Sequence, residues 1–114
     1  MSFEFRNRMM QIEIAGSEFE IEVDTRIDKI IKRLQTEAVN IVKQYQKDEK
    51  TDDEVITAYK GYIAEILGDK KAAEKIFAER EPDVRDWMDV LTYIANEIAR
   101  FNQKSALTPI KGGK

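Results

Sequence analysis

Residues 10–34 read MQIEIAGSEFEIEVDTRIDKIIKRL and contain the change of hydrophobic period that decides the fold. Apolar residues first occupy every second position on both sides of a short turn that contains Gly16. Alternation with period two across such a turn predicts an antiparallel β-hairpin. After Asp24 the apolar residues recur every three or four positions, which is the spacing of one helix face. The stretch therefore predicts a hairpin over residues 9–23 that leads directly into a helix.

Helical spacing continues through most of the remaining chain. Thr51 and Glu54 match a capping box, and Gly68 suits the left-handed residue that often follows a helix. The predicted helices cover about residues 25–47, 52–67, 69–79 and 83–102. Together with the hairpin they predict one α+β domain over residues 1–104, with a four-helix, mainly α-helical part after the sheet. Its expected core includes Ile12, Ile21, Leu34, Ile41, Ile63 and Leu91.

The two ends of the chain are less regular. Phe3 and Phe5 alternate with Glu4, which leaves open a short third strand before the hairpin. Residues 105–114 contain Pro109 and two further glycines and lose the helical pattern. We expect this segment to be a flexible C-terminal tail.

The composition removes most kinds of catalytic and metal-binding site. The chain has 114 residues and contains neither histidine nor cysteine, which excludes Ser-His-Asp triads, thiol nucleophiles and the usual zinc sites. The acids between Asp48 and Glu54 lack the ligand spacing and central glycine of a calcium loop. Neither a Gly-rich phosphate loop nor paired acids on an apolar face are present. We therefore expect no enzymatic activity, no metal and no cofactor.

Charge and hydropathy favour a protein partner. The net charge of -3 and the pI of about 5.1 disfavour a protein that binds by neutralising phosphates. No apolar run approaches the length of a membrane span, so the expected location is the cytoplasm. Glu18, Glu20 and Glu22 share one strand face, either as the solvated side of the sheet or as an acidic strip for a basic partner.

The last predicted helix is the strongest candidate for a binding surface. Its apolar arc is about 160° wide, more than a single core-facing stripe needs. Trp87, Ile94 and Phe101 lie along one flank of that arc and are the predicted partner-binding residues. The partner is another protein or a second copy of the chain. The alternative is that another helix of the same domain covers this flank.

The order of features also resembles a known family. The hairpin over residues 10–23, the segment ILGDKKAAEKIF over residues 66–77 and the last helix to Phe101 are similar, across residues 9–102, to small tail assembly chaperones. These proteins come from long-tailed bacteriophages and from prophages of Gram-positive bacteria. The resemblance implies a non-enzymatic protein of the bacterial host cytoplasm that binds the tape-measure protein and assists tail-tube assembly. It also implies a longer second product made by ribosomal frameshifting.

Two other functions are also compatible with the sequence. One is a general adaptor or regulatory module that binds a protein through the same surface. The other is a small helical DNA-binding regulator built on the two helices on either side of Gly68. It is disfavoured because Glu74 and Glu79 accompany the lysines of its second helix.

Overall fold

The computed structural model describes residues 3, 8–77 and 82–112, with the backbone alone described for residues 104–112. A two-stranded antiparallel hairpin precedes four helices, which confirms the predicted α+β class. The elements are β1 Met9–Ile14, β2 Ser17–Glu22, α1 Thr25–Gln46, α2 Asp52–Leu67, α3 Ala72–Ile76 and α4 Val84–Gly112.

The hairpin has the register that its turn requires. Ile14 pairs with Ser17, so the loop consists of Ala15 and Gly16 alone. Both loop residues have positive φ, at 52° and 86°, which is the backbone of a type I′ turn and matches the twist of the strands. One face of the sheet is buried and carries Met10, Ile12, Ile14, Phe19, Ile21 and Val23. The other face carries the glutamates and is exposed.

Capping groups mark both ends of α2, as the sequence predicts, and the start of α1. The Asp24 carboxylate accepts a hydrogen bond from the Ile27 amide at 3.1 Å and caps α1. Thr51 and Glu54 form both hydrogen bonds of a capping box at the start of α2. Gly68 closes α2 with a φ of 65°, a left-handed conformation that glycine adopts without strain.

Helix α2 is the centre of the domain. It contacts α1, α3, α4 and β2, and α4 also contacts β1. Val55 and Ile63 of α2 are completely buried. Of the six predicted core residues, Ile12, Ile21, Leu34, Ile63 and Leu91 are buried, and Ile41 is only partly buried. Ile41 lies in the second half of α1 and borders a surface depression that it lines together with residues of α2, which leaves part of its side chain exposed.

Three predicted boundaries differ from the structure. Phe3 is exposed and lies outside any strand, while the rest of the possible third strand falls outside the described residues. Helix α3 covers only residues 72–76, because the Asp69 carboxylate accepts from the Lys71 amide at 2.9 Å and holds the first residues as a turn. Its predicted last two residues, 78 and 79, are likewise outside the described part.

The third difference concerns the end of α4. This helix continues to Gly112, whereas the sequence predicts an end near residue 102 and a tail beyond it. Residues 104–107 are Lys, Ser, Ala and Leu, most of which favour helix, so loss of the apolar pattern does not end the element. Pro109 lies inside this extension and lacks the amide of an interior helical residue.

Candidate partner-binding groove

The predicted partner-binding residues do not form an exposed surface. Trp87 is 1% exposed and Ile94 is fully buried, so the expectation that they lie on a free flank of the last helix is wrong. The Trp87 ring packs against Phe77 with centroids 4.4 Å apart, and the Lys60 ammonium lies 5.9 Å above it. Phe101 is partly buried against the core, next to a small depression that it lines with Met10 of the hairpin. The wide apolar arc of α4 is therefore covered mainly by its own domain.

A different part of α4 borders an open groove. The groove lies between α1 and α4 and has a volume of about 540 Å³. Both helices contribute a row at positions i, i+3, i+4, i+7 and i+8, which is one face of each helix. The α1 row is Gln35, Ala38, Val39, Val42 and Lys43, and the α4 row is Met88, Leu91, Thr92, Ala95 and Asn96. We call this site the α1–α4 groove.

Packing on α2 explains why the groove exists. Helices α1 and α4 each contact α2 more extensively than they contact each other, so the space between them stays open above Tyr59 of α2. The two helices run in opposite directions. The Asn102 amide in the second half of α4 donates to the Asp28 carboxylate near the start of α1 at 3.1 Å. This hydrogen bond joins the two walls beyond one end of the groove.

The opposite end of the groove lies near the α1–α2 connection. There the Tyr45 hydroxyl donates to the Asp52 carboxylate at 2.7 Å. This hydrogen bond raises the pKa of Tyr45, and burial and the charge of Asp52 act in the same direction. Asp83 and Arg85 at the start of α4 lie close enough to influence the same phenol. The start of α4 is thus level with the end of α1.

The groove is mostly apolar, and its floor is neutral. Burial raises the pKa of Tyr59, so this phenol stays protonated at neutral pH. Val39 is 54% exposed, one of the few large apolar side chains on the surface of the described chain. Lys43 is the only charged residue that lines the groove. Such a surface can bind apolar side chains of a partner.

The remaining findings concern metals, membranes and known proteins. Within the described ranges, no group of three or more acidic, His or Cys residues is arranged to hold a metal ion. Over the same ranges, none of the helices has an apolar run that could span a bilayer. Comparisons with protein-family models, with curated proteins and with solved structures found no match.

The sequence contained a partial signal for this groove. The apolar arc of α4 does reach beyond the core, but the residues that extend it into the groove are Met88, Leu91 and Ala95, on the opposite flank from Phe101. Val39 was a second signal, because it is an apolar residue at the edge of the α1 arc. Neither signal could be assigned to a groove before the positions of α1 and α4 on α2 were known.

Proposed function

We propose that this protein is a non-enzymatic binding protein that holds an α-helix of another protein in the α1–α4 groove. In this proposal the protein is a tail assembly chaperone like those it resembles. Its partner is then the tape-measure protein, whose long apolar helices it keeps soluble in the host cytoplasm while tail-tube subunits assemble. The identity of the partner rests on the resemblance, and the mode of binding rests on the shape of the groove.

The observation that supports helix binding is the pair of matched rows along the groove. The first and last residues of each row are eight positions apart, or about 12 Å at 1.5 Å per residue. That length accommodates about two turns of a third helix between the two walls. Amphipathic helices bind in apolar grooves of this kind through side chains at positions i, i+3, i+4 and i+7. Val39, Met88 and Leu91 are the residues we expect such side chains to contact.

The test is co-expression with the tape-measure protein encoded in the same genome. The variant Val39→Asp places a charge in the groove at a side chain that is already half exposed, so the fold should be retained. We expect it to leave the tape-measure protein insoluble, whereas the unmodified chain keeps it in solution. Gln44→Asp adds the same charge at an exposed α1 position that does not line the groove. This control should behave like the unmodified chain.

The outcomes distinguish the proposal from its alternatives. If Val39→Asp and the unmodified chain solubilise the partner equally, the groove is not the binding site. If the chain never binds the tape-measure protein but does bind a helix of another protein, a general adaptor is the better description. A DNA-binding regulator is not favoured, because α3 has only five residues and a recognition helix must reach across a major groove.

A further inference from the structure

We propose that the α1–α4 groove selects a partner helix with acidic residues along the flank that faces α1. This inference rests on the proposed function and adds the chemistry of the partner to it. The supporting observation is the distribution of charge: the two walls of the groove differ in charge from each other, and the α1 wall differs from the protein as a whole.

Two lysines lie along the α1 wall, although the chain has a net charge of -3. The nearby carboxylate of Asp28, one turn before Lys32, lies at the end of the groove and accepts a hydrogen bond from Asn102. Lys43 lines the groove, and Lys32 borders an adjoining depression that shares Gln35 and Val39 with it. Lys32 and Lys43 form no ion pair with any described residue. By contrast, the neighbouring Arg33 pairs with Glu37 and Glu65 on another side of α1. Lys32 and Lys43 are therefore the two cations on this wall available to a partner.

The α4 wall has a different character. Its polar lining residues are Thr92 and Asn96, which are neutral. Asp89 on the same helix lies one turn before Thr92. A partner helix between the two walls would therefore meet positive charge on one flank and neutral or negative charge on the other. Such asymmetry favours one orientation of the partner as well as one composition.

The spacing of the two lysines defines the expected pattern. Lys32 and Lys43 are eleven positions apart on one helix, or about 16 Å along its axis. A partner helix of about three turns or more could place a carboxylate near each of them. Its apolar residues would lie on the adjoining face, at the spacing that the groove rows require.

The C-terminal segment of the chain does not fit this description. Residues 104–114 follow the last described side chain and contain Lys104, Lys111 and Lys114 but no acidic side chain. Binding of this segment from a second copy would bring lysines towards Lys32 and Lys43. Repulsion between like charges disfavours that arrangement. A helix from a different protein is the better occupant.

The experiment uses two synthetic helical peptides with the same apolar stripe. One peptide carries glutamates along one flank and the other carries lysines at the same positions, and fluorescence anisotropy measures their affinity for the full chain. We expect the glutamate peptide to bind about three- to tenfold more tightly at low salt, because each exposed ion pair contributes little. The preference should shrink as salt is added.

Charge reversal on the protein provides the decisive comparison. The double variant Lys32→Glu/Lys43→Glu should reverse the preference in favour of the lysine peptide. The control Lys70→Glu/Lys71→Glu changes the net charge equally at exposed lysines between α2 and α3. It should retain the preference for the glutamate peptide.

Four results would overturn the inference. Equal affinity for both peptides, or an unchanged preference in the groove double variant, would refute the acidic flank and leave helix capture intact. Binding of neither peptide at about 1 mM, together with failure to bind the tape-measure protein, would refute the proposed function as well. Self-association that Val39→Asp abolishes would identify a second copy as the occupant.

Discussion

Replacing Ile94 with Ala tests whether Ile94 stabilises the core or contacts the partner. Ile94 is fully buried in α4, and the substitution removes three carbons. At about 0.8 kcal/mol for each buried methylene, the loss of transfer free energy is about 2.4 kcal/mol. The cavity that remains adds to this, because the surrounding side chains relax only partly. We expect the free energy of unfolding to fall by about 2.5–5 kcal/mol in total.

Urea unfolding measured by tryptophan fluorescence is the suitable assay. Trp87 is the only tryptophan in the chain and is buried against Phe77, so its emission should report loss of the core. With an m-value of about 1–3 kcal/mol/M, the urea midpoint should fall by at least about 0.8 M. Val39→Ala is the matched control on the groove wall. Since Val39 is half exposed, its stability should change by less than about 0.5 kcal/mol.

Partner binding by the same variants completes the test. Below the unfolding midpoint, Ile94→Ala should still bind the partner helix, because Ile94 does not line the groove. A loss of binding with a stability change below about 1 kcal/mol would show that Ile94 contacts the partner. That result would refute the assignment of Ile94 to the core and restore the surface predicted from the sequence.

The remaining predictions concern two glycines, the capping carboxylate of α2 and the buried indole of Trp87, and urea unfolding tests each of them. Gly61→Ala should stabilise the protein by about 0.5–1 kcal/mol, because Gly61 lies inside α2 with open space around it. Gly68→Ala should instead destabilise it by about 1 kcal/mol or more, because a φ of 65° strains alanine, and equal effects of the two changes would contradict this. The amide and hydroxyl of Thr51 lower the pKa of Glu54 from 4.5, so this carboxylate contributes stability above that pH and loses it as the pH falls through the lowered value. Glu54→Gln should therefore be destabilising at pH 7 and almost neutral once the pH is below the lowered pKa, and a difference in stability that persists in acid would argue against the capping role. Trp87→Phe should cost less than the roughly 3–5 kcal/mol expected for Trp87→Ala, because the buried indole N–H has no hydrogen-bond partner among the described residues and its removal offsets part of the lost packing.

Local signals in the sequence were reliable where one element satisfies its own backbone. The hairpin register follows from alternation and from a two-residue turn, and the ends of α1 and α2 follow from Asp24, Thr51 and Gly68. At these helix ends the hydrogen bonds join residues within three or four positions. Prediction was poorer at α3 and at the end of α4. There, the apolar spacing runs through a turn before α3 and stops inside α4, so it does not mark either boundary.

The sequence by itself determined the fold class, the order of the elements and most of the core, because hydrophobic period and caps are local properties. It also determined that the last helix has more apolar surface than one contact needs. Only the tertiary structure decided where that surface lies. Trp87 and Ile94 are buried by other elements of the domain. Val39 and Leu91 belong to different helices and line the same groove. The reason is that exposure depends on how α1 and α4 sit on α2, and that arrangement results from contacts between residues far apart in the chain.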